Sequence, residues 1–134
     1  MDDSHDLRHG RSCIYSLQVH LVFVTKYRRS VFDDATLTDM ERIMRNVCAT
    51  MECELIEFNG ETDHVHLLVS YPPKVSVSTL VNMLKGVSSR QLRKTYALRT
   101  HRGHLWSPSY YAASSGGASL DVLKEYIRKQ DRPD

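Results

Sequence analysis

"DHVHLLVSY", residues 63–71, sets two histidines around one valine inside an apolar run. Alternate residues of a strand point the same way. Val65, Leu67 and Val69 therefore share one side, and His64 and His66 the other, about 7 Å apart along the backbone. Such a strand needs helices over its valine side and leaves its histidine side open. Just before it, "CELIEFN" (53–59) reads as a second strand, joined through Asn59-Gly60, a dipeptide favoured in hairpins. Pro72-Pro73 ends the pairing.

Working outward, "CIYSLQVHLVFVTKYR" (13–28) also alternates. Tyr15, Leu17, Val19, Leu21 and Phe23 fall on one face, and Ser16, Gln18, His20, Val22 and Val24 on the other. "DDATLTDMERIMRNVCATME" (33–52) predicts a helix capped by Asp33 or Asp34. Its apolar stripe is Leu37, Met40, Met44, Val47 and Met51. A second helix over 76–95 turns Val77, Leu80, Val81, Leu84 and Val87 inward. A fourth strand is expected around "SPSYYAAS" (107–114), then a flexible joint at Ser114-Ser115-Gly116-Gly117 and a last helix from about Ser119 to Lys129. The order βαββαβ plus a terminal helix predicts an α+β, ferredoxin-like (RRM-like) fold: an antiparallel sheet with two helices on one face. Residues 1–11 read as a disordered tail and 12–134 as a single domain.

Composition narrows the setting. The apolar fraction is 41% and the charged fraction 25%, as in soluble globular proteins. No apolar run approaches the roughly 20 residues of a spanning helix, and the start, "MDDSHDLRHGR", is polar. No membrane anchor or signal peptide is expected. Three cysteines without a CxxC pair fit a reduced, cytoplasmic setting. The net charge of +2 conceals an asymmetry. Between Asp63 and Asp121 stand Lys74, Lys85, Arg90, Arg93, Lys94, Arg99 and Arg102 and no acid. That block is the footprint of a polyanion or merely a solvated basic face. Lys85, Ser89 and Arg93 recur at i, i+4 and i+8, which organises part of it on one helix face.

Two constellations bear on chemistry. Imidazoles at i and i+2 on one face can each give a nitrogen to one metal ion, although two exposed histidines satisfy the same pattern. In "LDVLKEYIRKQ" (120–130), Leu120, Leu123 and Ile127 form the buried stripe. Val122, Tyr126 and Gln130 stack on another face. A tyrosine is a possible covalent nucleophile and a glutamine a possible oxygen donor; an amphipathic helix with a half-buried tyrosine reads the same way. His20 falls beside the histidine pair, and Trp106 reads as core.

Taken together, "VHLVFVTKYRR", "DHVHLL", "LVNMLKGVSSRQLRK", "HLWSPSYY" and "EYIRKQ" resemble, in order and spacing, the single-tyrosine HUH transposases of the bacterial insertion-sequence 200/605 group. HUH denotes His, hydrophobic, His, here His64-Val65-His66. The resemblance spans residues 13 to 130 and implies an enzyme that cuts and rejoins single-stranded DNA at transposon ends. It implies Tyr126 as the nucleophile, forming a 5′-phosphotyrosine, and His64, His66 and Gln130 as ligands of Mg²⁺ or Mn²⁺. It further implies recognition of DNA hairpins, with Lys26, Arg28, Arg29, Lys85, Arg90, Arg93 and Lys94 expected to contact DNA. The expected assembly is a homodimer with composite active sites, each tyrosine helix completing the partner's site.

Two rival readings remain at this level. A non-catalytic, ferredoxin-like module for single-stranded nucleic acid would stack bases on sheet aromatics, yet Ser16, Gln18 and His20 offer none. A host-domesticated relative acting on chromosomal repeats would share the chemistry and differ in the DNA it recognises.

Overall fold

In the computed structural model, residues 7–98, 100, 102–114 and 120–130 are described. A short hairpin comes first, β1 (Arg8–His9) paired with β2 (Ile14–Tyr15). Then follow β3 (Gln18–Val24), α1 (Asp34–Thr50), β4 (Glu54–Gly60), β5 (His64–Ser70), α2 (Val77–Thr95), β6 (Tyr111–Ser114) and α3 (Leu120–Lys129). The main sheet is antiparallel with order β4-β5-β3-β6. That is the expected ferredoxin-like topology. It places the two strands from the sequence's apolar centre, β3 and β5, in the middle.

Each helix starts where its cap allows. The Asp33 side chain accepts from the Thr36 N–H at 2.9 Å, and the Thr36 hydroxyl accepts in return from the Asp33 N–H at 2.8 Å. Asp33, not Asp34, is thus the N-cap. Ser76 caps α2 by accepting from the Thr79 N–H at 3.1 Å. The core lies between these two helices and one sheet face. Val19, Leu21 and Phe23 of β3 and Val65, Leu67 and Val69 of β5 meet Met40, Met44, Leu80, Val81 and Leu84. Ile43 and Cys48 are also buried in α1, so its apolar face is broader than the stripe read from spacing. Trp106 is core, edge-on to Phe23 (5.8 Å between ring centres), with its indole N–H donating to the Ser88 hydroxyl at 3.1 Å.

Four expectations change. The β4–β5 turn lies at residues 61–63, because Gly60 still pairs with Val65. Gly60 serves a close approach instead: a Cβ there would stand 2.6 Å from the Leu37 side chain. The first strand is broken, so Tyr15 belongs to the small hairpin rather than to the main sheet. Residues 8–9, assigned to a disordered tail on composition, are paired, and Arg8 bridges Glu54 at 2.6 Å. The fourth strand is shorter than expected, and residues 107–110 form a polar turn before it. The proposed joint at 115–117 lies outside the described residues.

The second face of the sheet is only partly open. Val22 and Val24 are fully buried there, under Tyr111, Tyr126 and Ile127. α3 therefore covers the β3–β6 side of the face opposite the two long helices. Among the described residues no helix is long and apolar enough to cross a membrane.

The thiols follow burial. Cys13 is exposed, while burial pushes the Cys48 thiol up to about 12 and the Cys53 thiol up to about 11. Thiolates are the reactive form, so folded protein at neutral pH should take up an alkylating group only at Cys13. All three cysteines should react after denaturation. Mass spectrometry would show this, and three modifications on folded protein would contradict the packing.

Candidate active site

The site is assembled on the α3-bearing face of the sheet. Val24 pairs with His64 and Val22 with His66 across the β3–β5 ladder. Directly paired residues point to the same side. The histidines thus share a face with the two valines on which Tyr126 sits. The rings of His64 and His66 lie nearly parallel, 5.5 Å apart.

His64 is buried and held from behind. Its Nδ1 lies 2.8 Å from Asp63 Oδ1, an arrangement that places a proton on Nδ1 and turns Nε2 outward, 4.0 Å from the Glu61 carboxylate. Asp63 in turn accepts from Arg28 Nε at 2.8 Å through its other oxygen. Burial raises the Asp63 pKa, but the bonds from Arg28 and His64 outweigh it and hold the carboxyl below its ordinary value. Tyr27 and Arg28 both have positive φ, 58° and 53°, a left-handed turn that costs L-residues energy and returns Arg28 to Asp63. Thr25 ties the same corner: its N–H donates to the Asp63 carbonyl at 2.9 Å and its hydroxyl to the Arg29 carbonyl at 2.7 Å. His66 has its pKa lowered by burial first, then by His64 and His20. It is therefore neutral near pH 7, the form that can donate a lone pair.

Tyr126 on α3 and Gln130, directly after its last residue, stand about one helical turn apart and meet the polar turn before β6. Tyr126 Oη lies 3.2 Å from the Ser109 hydroxyl. Gln130 Oε1 accepts from the Ser107 hydroxyl at 3.0 Å and the Ser109 hydroxyl at 3.2 Å. Burial raises the Tyr126 pKa, partly offset by the hydrogen bond between it and Ser109. Its ring packs 5.6 Å from that of Tyr111.

The structure thus makes two groups on one face, His64 with His66 and Tyr126 with Gln130. Among the described residues no hydrogen bond joins the two groups, and no cluster of three His, Cys, Asp or Glu could hold a metal ion. A ligand set would depend on an amide oxygen. The expected DNA contacts divide likewise. Lys26, Lys85, Arg90 and Arg93 line one cavity of about 580 Å³ beside Trp106 and Ser107. Lys94 is exposed on α2 outside that lining, and Arg28 is engaged by Asp63. Arg29 has its Nε buried without a hydrogen-bond partner. Spacing alone missed Asp63, Ser107 and Ser109. Their signals were an acid directly before the first histidine and the Ser-Pro-Ser that breaks the fourth strand.

The antiparallel βαββαβ sheet thus carries paired histidines and a tyrosine-bearing helix on one face. The chain belongs to the IS200-like transposases: the family model described as "Transposase IS200 like" matches residues 13–130. It is 30% identical over 128 residues to the ISDra2 transposase TnpA of Deinococcus radiodurans, covering 93% of this chain and 91% of that one. It is 30% identical over 133 residues to the transposase for insertion sequence element IS200 of Salmonella typhimurium, covering 97% and 85%. A crystal structure described as a putative transposase from Deinococcus radiodurans R1 superposes with a TM-score of 0.84 at 28% identity, over 94% of this chain and 99% of that one. A REP-associated tyrosine transposase bound to a REP hairpin shares the fold, with a TM-score of 0.56 at 13% identity over 90% of this chain and 67% of that one.

Proposed function

We propose that this DNA transposase cleaves and rejoins single-stranded DNA through Tyr126. The observation that carries the reading is the seat of Tyr126 on the sheet face that bears His64 and His66. Tyr126 Oη attacks the scissile phosphorus, and the bond from phosphorus to the 3′-oxygen breaks. The phenol proton leaves to water and the departing oxygen takes one up. The products are a 5′-phosphotyrosine and a free 3′-OH. The phosphodiester is conserved in the covalent link, so an incoming 3′-OH rejoins the strand by the reverse displacement without ATP.

Two imidazoles and an amide oxygen can hold a divalent cation; Mg²⁺ or Mn²⁺ is the ion that the family resemblance implies, and imidazole donors also accept Zn²⁺. His64 Nε2 is turned outward, His66 is neutral, and Gln130 supplies an amide oxygen. That oxygen already accepts from two rotatable serine hydroxyls, so one of them must turn away when Gln130 serves an ion. When bound, the ion polarises the scissile phosphate as a Lewis acid. The protein's own part is to orient the two imidazoles, keep His66 neutral, and hold the phenol on its valine seat.

The cavity that Lys26, Arg90 and Arg93 line receives the DNA backbone, with hairpin ends as the structured substrate and a homodimer as the working form. Chelator should abolish covalent adduct formation with single-stranded DNA flanking the gene, and Mg²⁺ or Mn²⁺ should restore it. Adduct formed at full yield in excess chelator would remove the metal from the mechanism. A module that only binds nucleic acid would give no adduct under either condition.

A further inference from the structure

Lys85 was expected to be one of several cations facing DNA, but its ammonium is turned inward. It donates to the Ser107 carbonyl at 2.6 Å and reaches the Ser109 carbonyl at 3.3 Å. The rings of Phe23 and Tyr110 lie 5.8 and 5.9 Å from it. The residue is half-buried, and that burial brings its pKa down to about 8. A cation serving only as a phosphate contact would keep its head in water. This one is bonded to the two residues whose hydroxyls carry Tyr126 and Gln130.

The rest of that turn is anchored elsewhere. The Ser107 N–H donates to the Val24 carbonyl at 2.8 Å and the Lys26 N–H to the Leu105 carbonyl at 2.9 Å. One end of the turn is thus fixed to the strand position that pairs with His64. Among the described residues Ser109 and Tyr110 have no such strand bond; the Ser109 N–H donates within the turn to the Ser107 hydroxyl at 3.4 Å, and the Lys85 ammonium is what reaches them from α2.

We propose that Lys85 is a positioning residue: it fixes the Ser107–Ser109 turn, and through the Ser109 hydroxyl it sets Tyr126 for attack. The role rests on the reading of Tyr126 as nucleophile. It links the basic cavity, which Lys85 also lines, to the reacting phenol through the covalent frame of Ser109, whose carbonyl Lys85 holds and whose hydroxyl meets Tyr126. Misplacement of a reacting group by about 1 Å costs roughly 100-fold in rate, which sets the size of the expected effect.

The test measures adduct formation in single turnover, on a 3′-labelled single-stranded oligonucleotide copied from the DNA flanking the gene. Lys85→Met should lower the rate at saturating DNA by about 100-fold, with a much smaller change in Kd. Ser109→Ala should lower the same rate, and Ser109→Thr, which keeps the hydroxyl, should restore it. In the double variant the two losses should not multiply, because both act through Ser109. A raised Kd with an unchanged saturated rate in Lys85→Met would make it a phosphate contact and overturn the proposal. Fully multiplicative losses would overturn it too. If Lys85→Met does not fold, the Ser109 series decides: equal rates for parent and Ser109→Ala sink the relay. Tyr126→Phe run alongside separates the layers. Adduct surviving there removes the nucleophile assignment, whereas adduct lost there but formed at parent rate in Lys85→Met removes only the positioning role.

Discussion

A Tyr126→Phe chain is expected to bind hairpin DNA like the parent and to form no covalent adduct on a denaturing gel. The substitution deletes one oxygen. The ring keeps its seat on Val22 and Val24 and its packing against Tyr111, so the fold and the cavity on the other side of the Ser107–Ser109 turn are left in place. Only the bond to the Ser109 hydroxyl is lost. Removing a covalent nucleophile lowers turnover by at least about a thousandfold, beyond the reach of a gel assay. Adduct at undiminished yield would move the role to Tyr110 or Tyr111. Of these, Tyr110 is the exposed one.

The second large effect concerns which chain supplies the tyrosine. In the single chain, Tyr126 and Ile127 lie on Val22 and Val24 of their own sheet. A helix exchanged between two copies would make the same contacts, because exchange of an identical element preserves them. Tyr126→Phe and His64→Ala are each expected to be inert. Co-expressed, they should regain roughly a quarter of the parent's activity: about half the dimers are mixed, and one of two sites in each is whole. Verified mixed dimers that stay inert would show that each chain builds its own site.

How far the sequence could be read follows from the range of the interactions. β3, β5 and both long helices were legible because period-two and period-3.6 patterns are local and strong. The pairing of His64 and His66 on one face followed from the same alternation. What escaped depends on contacts across the fold. Gly60 looked like a turn residue, but its task is to admit Leu37, which spacing cannot show. Val22 and Val24 were read onto an open face, and Tyr111 and α3, about ninety to a hundred residues later, bury them. Asp63 looked like the edge of an acid-free interval, whereas its two oxygens join Arg28 to His64. Lys85 looked like a surface cation, and its inward turn toward Ser107 is set by tertiary packing.

The central strand has a consequence for how the protein is made. β3 is laid down early, yet its β6 neighbour and the α3 residues over Val22 and Val24 come much later in the chain. At synthesis rates of about 5–20 residues per second, those two valines wait roughly 5–20 s before Ile127 exists. Until β6 is made, one edge of β3 has unpaired backbone groups beside uncovered apolar side chains, a template for pairing with another nascent chain. A transcript truncated before Tyr111 would keep that edge permanently. Its product should collect in aggregates, so loss of the last segment would remove the protein from the cell as well as its tyrosine.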